Sequence, residues 1–172
     1  LGALAELEQR VFATDRLSRR SLQRFLTSPS AEVIVAQEGA RCAGTAIVLF
    51  RARAGVARLY SIAVAPHMSG RGVAPLLLAA AEAGARERGC RAIRLEVHVT
   101  NHAAIARYRK SGYREIGRHR GYYEDGGTNI AGEPILLLES GEWPDRPGEI
   151  NLDVSSAERG GYDIGDLSLI HI

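Results

Sequence analysis

One stretch of the sequence constrains the fold more than any other, because it joins a strand, a glycine-flanked arginine and a helix without a long loop. The apolar run LYSIAVAP (59–66) is typical of a strand, and the alanine-rich run 72–88 has helical periodicity. Gly70-Arg71-Gly72 stands between them, and Gly89 follows the helix as a left-handed C-cap would. A strand that turns directly into a helix indicates a sheet with helices packed on it.

The rest of the chain repeats these two kinds of element. Two short amphipathic helices come first, and Ser18 is the expected N-cap of the second. We predict helices over 1–12, 18–26, 72–88 and 101–111, and strands over 31–37, 44–53, 56–66, 91–99, 113–120 and 134–140. The predicted fold class is therefore α/β (α+β), with a mixed sheet covered by helices on both faces and no internal repeat.

Composition argues against several classes of protein. The 172 residues suffice for one domain, and the formal net charge is only +2. All 22 basic residues except Lys110 are arginine, but no basic run is long enough for a nucleic-acid surface. We find no apolar run of membrane-spanning length and no signal peptide, so we expect a cytoplasmic protein without membrane contact. Cys42 and Cys90 lack the spacing of a metal site, and His98 and His102 are four residues apart but straddle a strand end and a helix start, so we expect no metal.

Three segments are expected along the chain. A folded domain covers 1–140, and residues 141–166, rich in Gly, Pro and acidic residues, form an irregular tail or the start of a following segment. The last segment, 167–172 (LSLIHI), matches the translation of a transposon end used in sequencing libraries, so we expect no function there. The chain opens on Leu1, inside a helical pattern, as a truncated fragment would.

The turn between strand and helix has the features of an anion pocket. Helix N-termini carry unpaired N–H groups and partial positive charge, and Gly70 and Gly72 leave that backbone accessible. Pro75 lies in the first turn, where its missing N–H is no loss. The pocket suits a phosphate, although it lacks the Gly-Lys-Ser/Thr of a Walker loop and the third glycine of a dinucleotide fingerprint. The alternative is a purely structural turn.

A second stretch, LEVHVTNHAAIARYRKSGYREIG (95–117), decides between these interpretations. Together with the loop, it resembles the GNAT superfamily of N-acetyltransferases, most closely the RimI-like ribosomal-protein alanine N-acetyltransferases. The resemblance covers about residues 1–139. The matching positions are Ser69-Gly70-Arg71-Gly72-Val73-Ala74, Asn101, Ala103, Ala104, Ile105, Tyr108, Ser111-Gly112-Tyr113 and Tyr122-Tyr123.

The resemblance implies a mostly antiparallel sheet in which two neighbouring strands splay apart to form the acetyl-CoA cleft. It also implies that the first strand of that fold is missing here. Acetyl-CoA would be the co-substrate, without a metal. Its diphosphate would lie on the loop that runs from Ser69 through Ala74 to Pro75, and its pantetheine arm beside the backbone of Ile62, Ala63 and Val64. The Val64 N–H would face the thioester oxygen. The alternative for this run is plain strand core.

Three further residues have implied roles in the chemistry. Glu96 matches the general base, although strand alternation by itself favours a solvated or ion-paired position. Tyr108 matches the proton donor to the departing thiolate, with a core aromatic as the alternative. Asn101 matches a cofactor contact, with a helix N-cap as the alternative. The implied reaction acetylates a primary amine, most simply a protein N-terminal α-amine. A small-molecule amine acceptor and a non-catalytic acyl-CoA-binding module remain open.

Overall fold

A mixed sheet organises the chain, as seen in a computed structural model that describes residues 1–12, 16–119, 135–141 and 168–171. The strands are β1 (Ala31–Glu38), β2 (Arg41–Leu49), β3 (Val56–Val64), β4 (Ala92–His98), β5 (Arg114–His119), β6 (Ile135–Gly141) and β7 (Ser168–His171). They run in the order β5-β6-β4-β3-β2-β1-β7, and β3 and β4 are the one parallel pair among those described. The helices are α1 (Gly2–Val11), α2 (Arg19–Thr27), α3 (Val73–Glu87) and α4 (His102–Lys110).

Helices cover both faces of this sheet, as predicted. On β1, Ile34 and Ala36 belong to the apolar cluster that contains α3, whereas Val33 and Val35 pack in the cluster that contains α1 and α2. Successive residues of a strand point to opposite faces, so a strand covered on both sides is apolar throughout. This is why the run 31–36 carries an almost continuous apolar pattern rather than an alternating one.

The predicted bounds of β2, 44–53, were wrong at both ends. The strand begins at Arg41, paired with Glu38, because Gly39 with φ of +57° allows a tight turn and the ladder starts at once. It ends at Leu49, since a turn follows from Arg51 to Ala54, in which the Ala54 N–H donates to Arg51 O (3.1 Å). Strand β7 was not predicted, and the other predicted helices and strands fall within two residues of their predicted bounds.

Helix α3 lies very close to β2, and Gly44 makes this approach possible. A Cβ atom on Gly44 would stand 2.8 Å from Ala63 O and 2.9 Å from the side chains of Val73 and Leu77. The first two turns of α3 therefore rest directly on the backbone of β2. The position of the helix N-terminus follows from that contact.

The far edge of the sheet is formed by the last described residues. Strand β7 pairs antiparallel with β1, from Ile34–His171 to Gln37–Ser168. The predicted tail 141–166 lies almost entirely outside the described residues, and only Gly141, the last residue of β6, is described. The segment boundaries therefore stay predictions. None of the described helices is both long and apolar enough to cross a membrane.

Candidate active site

A wedge opens in the middle of the sheet, where the two parallel strands part. Strands β3 and β4 are paired only from Val56–Ala92 to Leu59–Leu95. Beyond that point β3 stays paired with β2 as far as Val64, while β4 stays paired with β6 as far as His98. The splayed strand pair expected from the sequence is thus present.

Backbone polar groups of β3 line this wedge. The Ala65 N–H donates to Ala43 O on β2 (2.8 Å). Because alternate residues of a strand direct their N–H and C=O groups to opposite edges, those of Ile62 and Val64 face away from β2 and into the wedge. Ala63 directs its backbone toward β2, opposite Thr45. All three residues were predicted to lie beside a peptide-like ligand. Ile62 and Val64 direct their backbone hydrogen-bonding groups into the wedge, and Ala63 does not.

The loop before α3 follows the end of β3, on the open side of the wedge, and presents N–H groups that have no backbone acceptor among the described residues. Gly70 and Gly72 have φ of +79° and +80°, in the left-handed region that favours glycine. The backbone bonds of the loop are Ser69 N–H to Pro66 O, Arg71 N–H to Met68 O and Leu76 N–H to Gly72 O. Among the described residues, four amides consequently have no backbone acceptor, those of Gly70, Gly72, Val73 and Ala74. Such a group of donors at a helix N-terminus fits a diphosphate.

The side chain of Arg71 holds this loop in place. Its guanidinium lies 3.4 Å from the Glu38 carboxylate in the β1–β2 turn and 3.3 Å from Met68 Sδ. Met68 is fully buried beneath the loop. In this structure the arginine therefore joins the loop to the neighbouring hairpin, and its charge is partly compensated by Glu38.

Glu96 stands at the vertex of the wedge, one residue beyond the last β3–β4 pair. The strand alternates as predicted, with Leu95 and Val97 buried and Glu96 on the opposite face. Its Oε2 accepts a hydrogen bond from Arg58 Nε at 3.0 Å, and its side chain is 18% exposed. The ion-paired position that alternation favours is thus what the structure contains. The partner was missed, since finding it requires the register of β3 against β4.

Tyr108 is a buried phenol on α4. Burial raises its pKa to about 12, and the nearby charge of Arg107 only partly offsets this effect. Its ring centre lies 5.6 Å from that of Tyr113. A phenol with so high a pKa stays protonated throughout the physiological range, so Tyr108 can donate a proton but does not act as a base there.

Asn101 is the N-cap of α4, since its Oδ1 accepts a hydrogen bond from the Ala104 N–H at 3.2 Å. This is the alternative that the sequence left open, and the side-chain amide N–H groups are still available for a ligand. His98 Nδ1 lies 2.7 Å from Thr100 Oγ1. Within the described part of the chain, no three His, Cys, Asp or Glu residues are grouped as metal ligands. Tyr122 and Tyr123 lie outside that part.

A polar contact behind Tyr108 was also missed. Burial raises the pKa of Glu82 on α3, and the adjacent Tyr113 hydroxyl and the Arg86 charge lower it in part. Burial likewise raises the pKa of Tyr113 well above its usual value. Neither Glu82 Oε1 nor the Tyr113 hydroxyl has a well-formed hydrogen bond to any described residue. The signal in the sequence is Glu82 itself, the one charged residue between Val73 and Ala85 of α3.

Comparisons with known proteins agree with this geometry. Residues 3–113 match the acetyltransferase (GNAT) family. The chain is 32% identical over 136 residues to the N-alpha-acetyltransferase RimI of Mycobacterium tuberculosis, which covers 73% of this chain and 79% of that protein.

Two solved structures have the same fold. The ribosomal-protein-S18-alanine N-acetyltransferase of Escherichia coli superposes with a TM-score of 0.70 at 24% identity, over 85% of this chain and 91% of that one. A nourseothricin acetyltransferase gives a TM-score of 0.60 at 31% identity, over 66% of each chain. With the wedge and the glycine loop in place, the family match shows that this chain belongs to the GNAT family and is an acetyl-CoA-dependent acyltransferase.

Proposed function

We propose that the protein transfers the acetyl group of acetyl-CoA to a protein N-terminal α-amine. The observation that carries the proposal is the position of Glu96, a partly exposed carboxylate at the vertex of a wedge whose backbone groups have no strand partner among the described residues. A carboxylate that borders the site of an acyl donor can take a proton from an attacking amine. The similarity to an N-alpha-acetyltransferase supports the choice of acceptor.

The residues present fit acetyl-CoA. The amides of Gly70, Gly72, Val73 and Ala74 would hold its diphosphate, because they have no backbone acceptor among the described residues. The backbone of Ile62 and Val64 would pair with the peptide-like arm, as an added strand pairs with a sheet edge. When bound, acetyl-CoA supplies an activated thioester with a thiolate leaving group.

Three groups of the chain would then act on protons and charge. Glu96 accepts a proton from the acceptor amine, directly or through one water molecule. The Val64 N–H donates a hydrogen bond to the oxygen on which negative charge develops. The Tyr108 hydroxyl donates a hydrogen bond to the departing sulfur, where negative charge develops. Because its pKa of about 12 lies above an ordinary thiol pKa of about 8.5, the sulfur leaves as a thiolate that takes its proton from solvent, and the assistance by Tyr108 is modest.

The chemistry of the base favours an α-amine over a lysine side chain. An α-amine has a pKa of about 8 and a lysine side chain one of about 10.4, so deprotonating the lysine at neutral pH costs about 3 kcal/mol more. A single partly exposed glutamate suits the less basic acceptor. The small-molecule alternative has one specific observation in its favour, the similarity to a nourseothricin acetyltransferase, whose name indicates a small acceptor.

A thiol-release assay tests the proposal. The acceptors are a peptide with an N-terminal alanine, the same peptide with a blocked N-terminus and one internal lysine, and a small primary amine. We expect turnover of the first only. Turnover confined to the small amine would contradict the proposed acceptor.

The role of Glu96 is tested by Glu96→Gln, with Glu87→Gln on the exposed end of α3 as the matched control. We expect kcat to fall about 10²- to 10⁴-fold for the first variant, with little change in acetyl-CoA affinity, and no effect of the second. A Glu96→Gln variant with unchanged kcat would show that the base lies elsewhere.

A further inference from the structure

A groove on the α2 face of the sheet begins at the vertex of the wedge. It has a volume of about 740 Å³, and Glu96 is the one acidic residue in its described lining. Four arginines line it as well: Arg24, Arg51, Arg58 and Arg94. The described lining of the groove therefore has a marked excess of positive charge around Glu96, the carboxylate proposed as the base.

The groove extends away from the glycine loop. Besides Glu96 it reaches Val56 and Ala57, at the beginning of β3. The glycine loop follows the opposite end of that strand, beyond Val64. A molecule lying in the groove would thus approach Glu96 without occupying the loop assigned to acetyl-CoA. This is the arrangement that an acceptor requires.

The arginines are not equally available to a ligand. Arg94 donates two hydrogen bonds to Glu139 Oε2, at 2.7 and 3.1 Å, so its charge is already compensated. Arg24 lies over the ring of Phe25, 5.6 Å from its centre, which fixes a cation on the groove wall without neutralising it. Arg58 is bonded to Glu96, the residue to which the amine must come.

The Arg58–Glu96 pair bears directly on the acceptor. An arriving ammonium group competes with Arg58 for the Glu96 carboxylate, because both are cations at the same acceptor. If the acceptor also carries a carboxylate, the two ion pairs exchange: the ammonium faces Glu96 and the carboxylate faces Arg58. An acceptor with only neutral side chains gives no such exchange. An acceptor with additional cationic side chains is repelled by the arginines of the groove.

We propose that the preferred acceptor carries an acidic side chain at the second or third residue, so that its carboxylate contacts Arg58 while its α-amine faces Glu96. This inference rests on the proposed function and specifies its substrate class. An extended peptide advances about 3.3 Å per residue, so an acidic side chain one or two residues after the amine can reach a guanidinium already bonded to Glu96. Arg24 and Arg51 supply the surrounding positive potential.

Three peptides test this substrate class, identical except at positions two and three, which carry Asp-Glu, Asn-Gln or Arg-Arg. We expect kcat/KM for the acidic peptide to exceed that for the neutral one about 10- to 100-fold, the range of a hydrogen bond to a charged group. The ratio should fall as ionic strength rises, whereas a preference based on shape would not change.

The variant Arg58→Gln should reduce the ratio of acidic to neutral peptide toward one. The ratio is the informative quantity, because any displacement of Glu96 affects both peptides alike. Arg109→Gln removes the same charge from the surface of α4, outside the groove lining, and should leave the ratio unchanged. The salt dependence of the native protein gives a second readout that does not depend on how the variant folds.

The outcomes separate the two proposals. Equal rates for acidic and neutral peptides, or a preference for Arg-Arg, overturn the substrate class and leave N-terminal acetylation intact. A preference for acid that survives Arg58→Gln overturns the assignment to this groove. Failure of the native protein to acetylate any of the three peptides refutes the proposed function and the substrate class with it.

Discussion

Replacing Gly44 with alanine tests whether β2 sets the position of the cofactor loop. The added Cβ atom would stand 2.8 Å from Ala63 O and 2.9 Å from the side chains of Val73 and Leu77. Each contact is about 0.5 Å closer than an ordinary one. Ala63 belongs to a paired strand and has no room to retreat. We therefore expect α3 to move away from the sheet at its N-terminal end.

The magnitude follows from the packing. Overfilling a close-packed contact costs about 1–3 kcal/mol, which for a domain of this size lowers Tm by about 3–10 °C. Val73 is also one of the residues whose amides are assigned to the diphosphate. A displaced first turn should therefore weaken acetyl-CoA binding about tenfold, which corresponds to about 1.4 kcal/mol.

Urea unfolding and isothermal titration with acetyl-CoA measure both effects. Gly2→Ala is the matched control, because the same Cβ on the surface of α1 meets no atom within 4 Å and should leave both quantities almost unchanged. If Gly44→Ala folded with native stability and bound acetyl-CoA with native affinity, the argument that this contact positions the loop would be refuted.

Three further predictions concern buried or capping groups. The folded-state pKa of Tyr108, about 12, exceeds its unfolded value near 10, so its stabilising effect is complete below about pH 10 and is lost as pH rises toward 12. Between about pH 10 and pH 12, the free energy of unfolding measured in urea should fall about 3 kcal/mol less for Tyr108→Phe than for the native chain. Burial raises the pKa of Glu8, so Glu8→Gln should raise Tm at neutral pH and lose that advantage in acid. Asn101→Ala should destabilise the fold by about 1 kcal/mol in urea, and Asn101→Asp by much less.

Each of these predictions can fail clearly. Parallel pH profiles for Tyr108→Phe and the native chain would mean that the phenol is not buried in solution. A lower Tm for Glu8→Gln at neutral pH would mean that the carboxylate accepting the Leu17 N–H is stabilising as a charge. Equal stabilities of the alanine and aspartate variants at Asn101 would exclude a capping role.

The features that the sequence predicted are those determined by neighbouring residues. Gly72 before a helix, Gly89 after one and the alternation around Glu96 are local patterns, and each appears in the structure as expected. The Arg58–Glu96 pair depends on the register of two strands separated by a helix, which no local pattern determines. The Glu82–Tyr113 contact depends on how α3 packs against the turn after α4. Both contacts join residues that lie far apart in the sequence, which is why the sequence alone did not predict them.

The wedge has a consequence for the resistance of the protein to proteolysis. Only four residue pairs join β3 to β4, so the sheet consists of two halves that share a short seam. A ligand bonded to the exposed edge of β3 would extend that seam and slow amide hydrogen exchange at Ile62 and Val64. Since binding to the native state alone adds RT ln(1 + [L]/Kd) to stability, resistance to proteolysis should rise and fall with the supply of acetyl-CoA.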